Sequence, residues 1–240
     1  MSGPDADFTD RTEPVLGELP PRDTTALVRT VRDRLRLAIS LEEIPSGTRL
    51  NQVAVAKQLG VSRMPVRTAI SELVSEGLLE MVPGGGVAVR SLTPDDLLDV
   101  YEVREAIESR AVRRVAQLRP AEGLARIEQV VSTHKPRVTG YGAAELLAAD
   151  REFHMAVLDA TGNEYFRRAL VPVWSIVERG MVRSLHITDV FTGAWDEHEA
   201  IAKALLAGDA DHGEQLLLHH LRNASSKLAQ TMPTSSADET

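Results

Sequence analysis

The sequence predicts a mainly α-helical protein in two parts: three helices closed by a β-hairpin, then an all-helical bundle. Three observations predict it. Apolar residues recur every three to four positions through most of the chain, the rhythm of a helix with one buried face. The stretch "LLEMVPGGGVAVR" at 78–90 breaks that rhythm with two short β-prone runs around a glycine turn. "TPDDL" at 93–97 then restarts it, with Thr as N-cap, Pro in the first turn and acids behind it.

Taken in order, residues 1–22 are rich in Pro, Asp, Gly and Thr and read as a disordered arm, with 231–240 as a disordered tail. Residues 24–41 carry Leu27, Val31, Leu35 and Ile39 at four-residue spacing, an amphipathic helix ended by "IPSG". A short helix is expected near 51–59, then a turn at Gly60. A longer helix follows near 62–76, with Ser62 as N-cap and Val66, Ile70, Leu73 and Val74 as its buried stripe. With the hairpin, residues 23–90 have the layout of a winged helix-turn-helix domain. From 93 to 230 the pattern stays helical, broken near Pro120, at 136–142, and at Gly162 and Gly208.

The bulk properties narrow the function. No apolar run approaches the ~18 residues needed to span a bilayer, so no membrane contact is expected. The acidic, polar N-terminus fits neither a signal nor a transit peptide, and a cytoplasmic location is expected. There is no cysteine, which leaves His and carboxylates as metal ligands. A net charge of −8 argues against a nucleic-acid partner for the chain as a whole, but the distribution reverses this. Residues 22–90 carry ten Lys and Arg against seven Asp and Glu; residues 91–240 carry sixteen against twenty-three. A basic module is joined to an acidic one.

Within the basic module, Arg63 and Arg67 stand one turn apart at the start of the third helix, opposite its apolar stripe. That is where a recognition helix meets base edges and phosphates, and the planar arginine fork can bond guanine or phosphate in bidentate fashion. Pro65 lies in the first turn, where it costs no hydrogen bond.

Within the acidic module, polar residues sit in the middle of apolar faces. Asp150 and His154 in "DREFH" lie about 40° apart on the helical wheel. Leu146, Leu147, Phe153, Val157 and Leu158 flank them, while Arg151 and Glu152 point away. His198 is ringed by Ala194, Trp195, Ile201, Ala202 and Leu205, and His220 faces inward where its neighbour His219 faces out. His134 and His212 read as exposed, and His186 is undecided. Burying such groups unsatisfied costs several kcal/mol, about 2–7 each, so a shared ligand is the economical explanation. Asp150, His154, His198 and His220 form a plausible set for a divalent metal, zinc foremost, with nickel, manganese or iron as other occupants. Arg104 shows the same anomaly on the 94–118 helix. Either Glu108, one turn on, is its counter-ion, or it clamps the carboxylate of a small organic acid.

Two resemblances follow. "LGVSRMPVRTAISELVSEGLLEMVPGGGVAV" resembles the DNA-binding signature of GntR-family bacterial transcription regulators. Carried over by position, it implies DNA contacts at Ser62, Arg63, Met64 and Arg67, with Gly84, Gly85 and Gly86 at a wing tip near the minor groove. This chain departs from the pattern at Met64, where many members have a small polar residue. It departs also at Thr68, where an acid is usual, and at Val53, where some use a basic phosphate contact. "VREAIE", "DREFH", "EHEAI" and "HHLRNA", in that order, resemble the FCD ligand-sensing domain of the FadR subfamily, covering about residues 93–230. That resemblance implies a divalent metal at Asp150, His154, His198 and His220, and Arg104 on a carboxylate effector. It also implies homodimers on a double-stranded, pseudo-palindromic operator.

The leading reading is thus a ligand-controlled transcriptional regulator, with a repressor expected. The alternatives are a constitutive DNA-binding protein whose histidines are structural, and a metal-dependent hydrolase. The second lacks an HExxH-type motif and a carboxylate placed as general base.

Overall fold

A computed structural model describes residues 24–184 and 188–231. The expected N-terminal arm, His186 and the tail beyond 231 lie outside the described residues.

The first part is built on α1 (Thr24–Ser40), α2 (Gln52–Leu59) and α3 (Arg63–Ser75), with strands β1 (Arg49–Leu50), β2 (Leu79–Met81) and β3 (Val87–Val89) in the antiparallel order β1-β3-β2. Its core joins Val28, Val31, Leu35 and Ile39 of α1 to Val66, Ile70 and Leu73 of α3 and to Leu79, Val87 and Val89 of the sheet. Leu27, expected in this stripe, is 39% exposed, and Val28 fills its place. The reason is the 3.6-residue turn: a strict four-residue series drifts about 40° per step and leaves the buried face. Val74 is only partly buried, for the same reason. β1 was not expected. At two residues it is too short to show alternation, and it exists because Arg49 and Leu50 find Ala88 and Val87 to pair with.

Caps mark the turns. Asn51 accepts hydrogen bonds from the backbone N–H groups of Val53 and Ala54 at 2.9 and 3.1 Å, and Gly60 ends α2 in the left-handed region. Ser62 occupies the N-cap position of α3, but its side chain makes no capping bond. Gly84, Gly85 and Gly86 all take positive φ, of 80°, 88° and 100°, a run that residues with a β-carbon rarely adopt.

The second part comprises α4 (Pro94–Leu118), α5 (Ala121–His134), α6 (Ala143–Ala160), α7 (Glu164–Leu170), α8 (Trp174–Arg183), α9 (Thr188–Ala207) and α10 (Ala210–Gln230). Helix α10 lies along α4 and α9, and α6 packs on α5 and α4. Their core includes Leu97, Val112, Leu158, Trp174, Ile201 and Leu221. Among the described residues no helix is long and apolar enough to cross a membrane.

The expected start of α4 is present as a full capping box: Thr93 Oγ1 accepts from the Asp96 N–H at 3.1 Å, and Asp96 Oδ2 accepts from the Thr93 N–H at 3.0 Å. Asp96 also pairs with Arg90 at the end of the wing. Burial alone would raise the Asp96 carboxyl, but the Thr93 hydrogen bonds and the Arg90 charge outweigh it and hold its pKa below 3.8. A carboxylate with a depressed folded pKa stabilises fully above its unfolded value, and that contribution is lost as pH falls through the folded one. Asp96→Asn is therefore expected to destabilise by about 1 kcal/mol at pH 7. The gap to the parent protein should close progressively below about pH 4. Thermal melts of both proteins at pH 7 and pH 3 check this, and a gap that stays constant across pH contradicts it.

Helix α8 ties the two parts together. Ser40 Oγ donates to Glu178 Oε2 at 3.1 Å, and Arg183 Nε donates to Glu42 Oε1 at 2.7 Å. Arg179 Nη2 donates to Ser46 Oγ at 3.0 Å and to the Arg90 carbonyl at 2.8 Å. Burial first, and then the neighbouring Arg183, lower the Arg179 pKa to about 10.

Candidate metal centre and nucleic-acid interface

Four helices bring the interior polar residues together. Helix α6 supplies Asp150 and His154, α9 supplies His198, α10 supplies His220, and α4 supplies Arg104 and Glu108. All are buried, His198 completely. Each helix buries the face that carries the residue, so amphipathic packing alone converges them. Phe153 stacks on His198 with ring centroids 4.1 Å apart, and Trp174 closes on His154 at 5.3 Å.

One ring nitrogen from each of His154, His198 and His220 lies within 4.8 Å of the other two. The Nε2 atoms of His198 and His220 are 3.2 Å apart. Two ligands held at 2.0–2.2 Å by a common tetrahedral ion sit ~3.3–3.6 Å apart, so this pair is just short of the spacing of shared ligands. Asp150 Oδ1 stands slightly outside, 3.8 Å from His198 Nε2 and 4.0 Å from His154 Nε2.

Carboxylates orient two of the rings. His154 Nδ1 is 2.5 Å from Glu108 Oε2, and His220 Nδ1 is 2.7 Å from Glu197 Oε2. An ionised carboxylate only accepts, so each Nδ1 carries the proton and each Nε2 turns an open lone pair to the centre. That is the carboxylate–histidine support found behind metal ligands. His198 has no such support, and its Nδ1 is buried with no partner. Burial, then the neighbouring His220 and His154, push the His198 pKa well below 6.5, and burial likewise lowers that of His154. Both rings stay neutral, the form that binds metal. Burial would raise the Glu108 carboxyl, but Arg104 and His154 bring it down to about 2.

Arg104 takes Glu108, the first of the two partners expected for it, as its counter-ion. Its Nε donates to Glu108 Oε1 at 2.7 Å, and its guanidinium lies over the rings of Tyr101 and Trp174 at 4.8 and 4.7 Å. Its Nη2 is 3.2 Å from both nitrogens of His154, so it lies across that ring and not on a single lone pair. It also lines a small cavity with Tyr101, Asp150, Met181, His220 and Leu228. Its lining combines the polar Arg104, Asp150 and His220 with the apolar Met181 and Leu228.

Sequence reasoning missed Glu197, whose only signal was its place beside an inward histidine. His134 is not exposed as expected. It is largely buried between Tyr141 Oη and Glu152 Oε2, each 2.8 Å away, because the 3-10 turn at Val138–Gly140 folds Tyr141 back over it. His212 and His219 are exposed.

The second surface is on the first part. Ser62, Arg63, Met64 and Arg67 are all exposed on the first turns of α3, and Arg67 Nη2 rests 3.3 Å from Met64 Sδ. Arg63 shares a surface groove with Arg49, Asn51, Val53 and Gly86, so the start of α3 and the glycine-rich wing border one channel.

Comparison with known proteins follows the same division. The family model of the gntR family of bacterial regulatory proteins matches residues 27–89, and that of the FCD domain matches 99–223. The chain is 31% identical over 202 residues to the "Probable D-xylose utilization operon transcriptional repressor" of Paenarthrobacter nicotinovorans, covering 82% of this chain and 86% of the relative. It is 28% identical over 218 residues to the "Putative L-lactate dehydrogenase operon regulatory protein" of Escherichia coli (strain K12), covering 80% and 82%. Its fold is similar to the solved structure of E. coli McbR/YncC, with a TM-score of 0.75 at 20% identity, covering 85% of this chain and 97% of that one.

Proposed function

This chain belongs to the gntR family of bacterial regulatory proteins and carries an FCD domain, which makes it a DNA-binding transcriptional regulator and not an enzyme; on that premise we propose a repressor controlled by a small carboxylate bound beside a divalent metal. The hydrolase reading falls with that membership. Repression is favoured by relatives whose names call them repressors, among them the D-xylose and gluconate operon proteins.

The observation that carries the sensor half of the proposal is the convergence of three buried imidazoles, two of them held by carboxylates with Nε2 inward. His154, His198, His220 and Asp150 would hold the ion, zinc foremost. When bound, it would supply a Lewis-acidic position for a carboxylate oxygen. Arg104 adds a fixed cation in the same cavity, and Tyr101, Met181 and Leu228 bound the space left for the effector's carbon skeleton. The small cavity favours a short acid.

Coupling to DNA is assigned to α8. Met181 lines the cavity and Trp174 lies under Arg104, while Glu178, Arg179 and Arg183 hold the end of α1 and the chain that follows it. In a homodimer the two α3 helices must stand about 34 Å apart to enter successive major grooves. An effector that binds better when α8 is displaced would favour a dimer without that spacing, and only by its difference in affinity for the two states.

Metal analysis of the native protein is expected to find about one divalent ion per chain, lost on His198→Ala. At ion concentrations about 100-fold above Kd, the loss should cost about 2.7 kcal/mol of stability. A metal-free native protein removes the sensor site as drawn. It would favour the rival reading of structural histidines, to which the 3.2 Å His198–His220 contact also lends itself as a plain imidazole hydrogen bond. Thermal shifts against a panel of short carboxylates then test the effector class, and a panel without a hit would favour constitutive binding.

A further inference from the structure

Resting on the DNA-reading role of α3, we propose that Met64 reads the C5-methyl group of a thymine in each operator half-site. Single exposed apolar residues are ordinary and carry no message by themselves. This one has a particular place. Counting from Arg63 at 100° per residue, the outward arc of α3 runs through Arg67 at about 40°, Ser71 at about 80°, Met64 at about 100° and Thr68 at about 140°. Pro65, Val66, Ala69, Ile70 and Leu73 fill the buried arc opposite. Met64 therefore sits near the centre of the outward face, on the first turn, where a recognition helix meets base edges. It is 55% exposed, and the other exposed side chains there, Arg63, Arg67, Ser71 and Thr68, can all hydrogen-bond.

The Arg67 guanidinium lies 3.3 Å from the Met64 sulfur, so the two side chains would approach DNA as one unit. Arg67 matches the O6 and N7 acceptors of guanine. Met64 offers neither a strong donor nor a strong acceptor. Pressed against adenine, guanine or cytosine, it would displace water from polar edge atoms and leave them unpaired. Thymine alone presents an apolar group in the major groove. The half-site should thus place a thymine next to the base read by Arg67.

Selection from a random duplex library, followed by binding to the selected duplex with uracil in place of single thymines, tests this. Uracil keeps the base pair and removes only the methyl. The native protein is expected to lose about tenfold in affinity when the critical thymine is replaced in both half-sites. Met64→Ala should bind the thymine and uracil duplexes alike, and Met64→Leu should still distinguish them. If the native protein binds every uracil duplex as well as the parent, the inference is overturned. It is overturned also if Met64→Ala weakens both duplexes equally while still distinguishing them, which would make Met64 a support for Arg67. A selection that enriches no sequence would overturn the DNA-reading role itself, a separate failure.

Discussion

Glu108→Ala is expected to destabilise the protein by about 3–5 kcal/mol, because it strands a buried cation. Arg104 and Glu108 are each about 1% exposed, and the carboxylate bonds the Arg104 Nε and the His154 Nδ1 together. Removing it leaves a guanidinium with aromatic faces on two sides and no anion in contact. It also frees the His154 ring to turn, so the variant should bind metal more weakly. Glu108→Gln keeps the shape and one acceptor, and should cost less. Urea unfolding at pH 7 measures both, as a shift in midpoint at constant slope. A loss below about 1 kcal/mol for the alanine variant would mean that water or another anion already serves Arg104.

Arg67→Ala is expected to weaken operator binding by about thirtyfold or more. One bidentate arginine–guanine contact is worth about 1–3 kcal/mol, and a dimer on a pseudo-palindrome makes it twice. Arg67 is exposed and makes no ion pair among the described residues, so thermal stability should not change. This separates a lost contact from a lost fold. Fluorescence anisotropy with the selected duplex, across a series of salt concentrations, is the measurement. A lost guanine contact relaxes sequence preference, whereas a lost phosphate contact weakens all sequences alike and reduces the salt slope by about one per contact. Unchanged binding would remove the start of α3 from the DNA interface.

Much of this site was legible along the chain. Asp150, His154 and His198 each occupy the centre of an apolar helical face, and His220 lies about 60° from the centre of its own. Burial of that face makes each side chain inward whichever helix packs against it. Arg63 and Arg67 were legible as the converse, cations opposite a buried stripe. Glu197 was not. It stands about 100° from His198 on α9, away from the centre of the face, and matters only because α10 brings His220 to within 2.7 Å of it.

The sequence by itself therefore determined the helices, the glycine wing, the capped start of α4 and the inward direction of Asp150, His154, His198, His220 and Arg104. These follow from local periodicity, turn residues and caps, which depend on neighbours within a few positions. Tertiary structure alone decided that β1 is a strand, since a two-residue strand exists only through its partner. It also decided that His154 joins the Arg104–Glu108 pair, that His134 is shielded by Tyr141, and that α8 holds both parts of the chain. Those facts join residues separated by 7 to 141 positions, through single hydrogen bonds that packing brings within reach. No local pattern encodes such a distance.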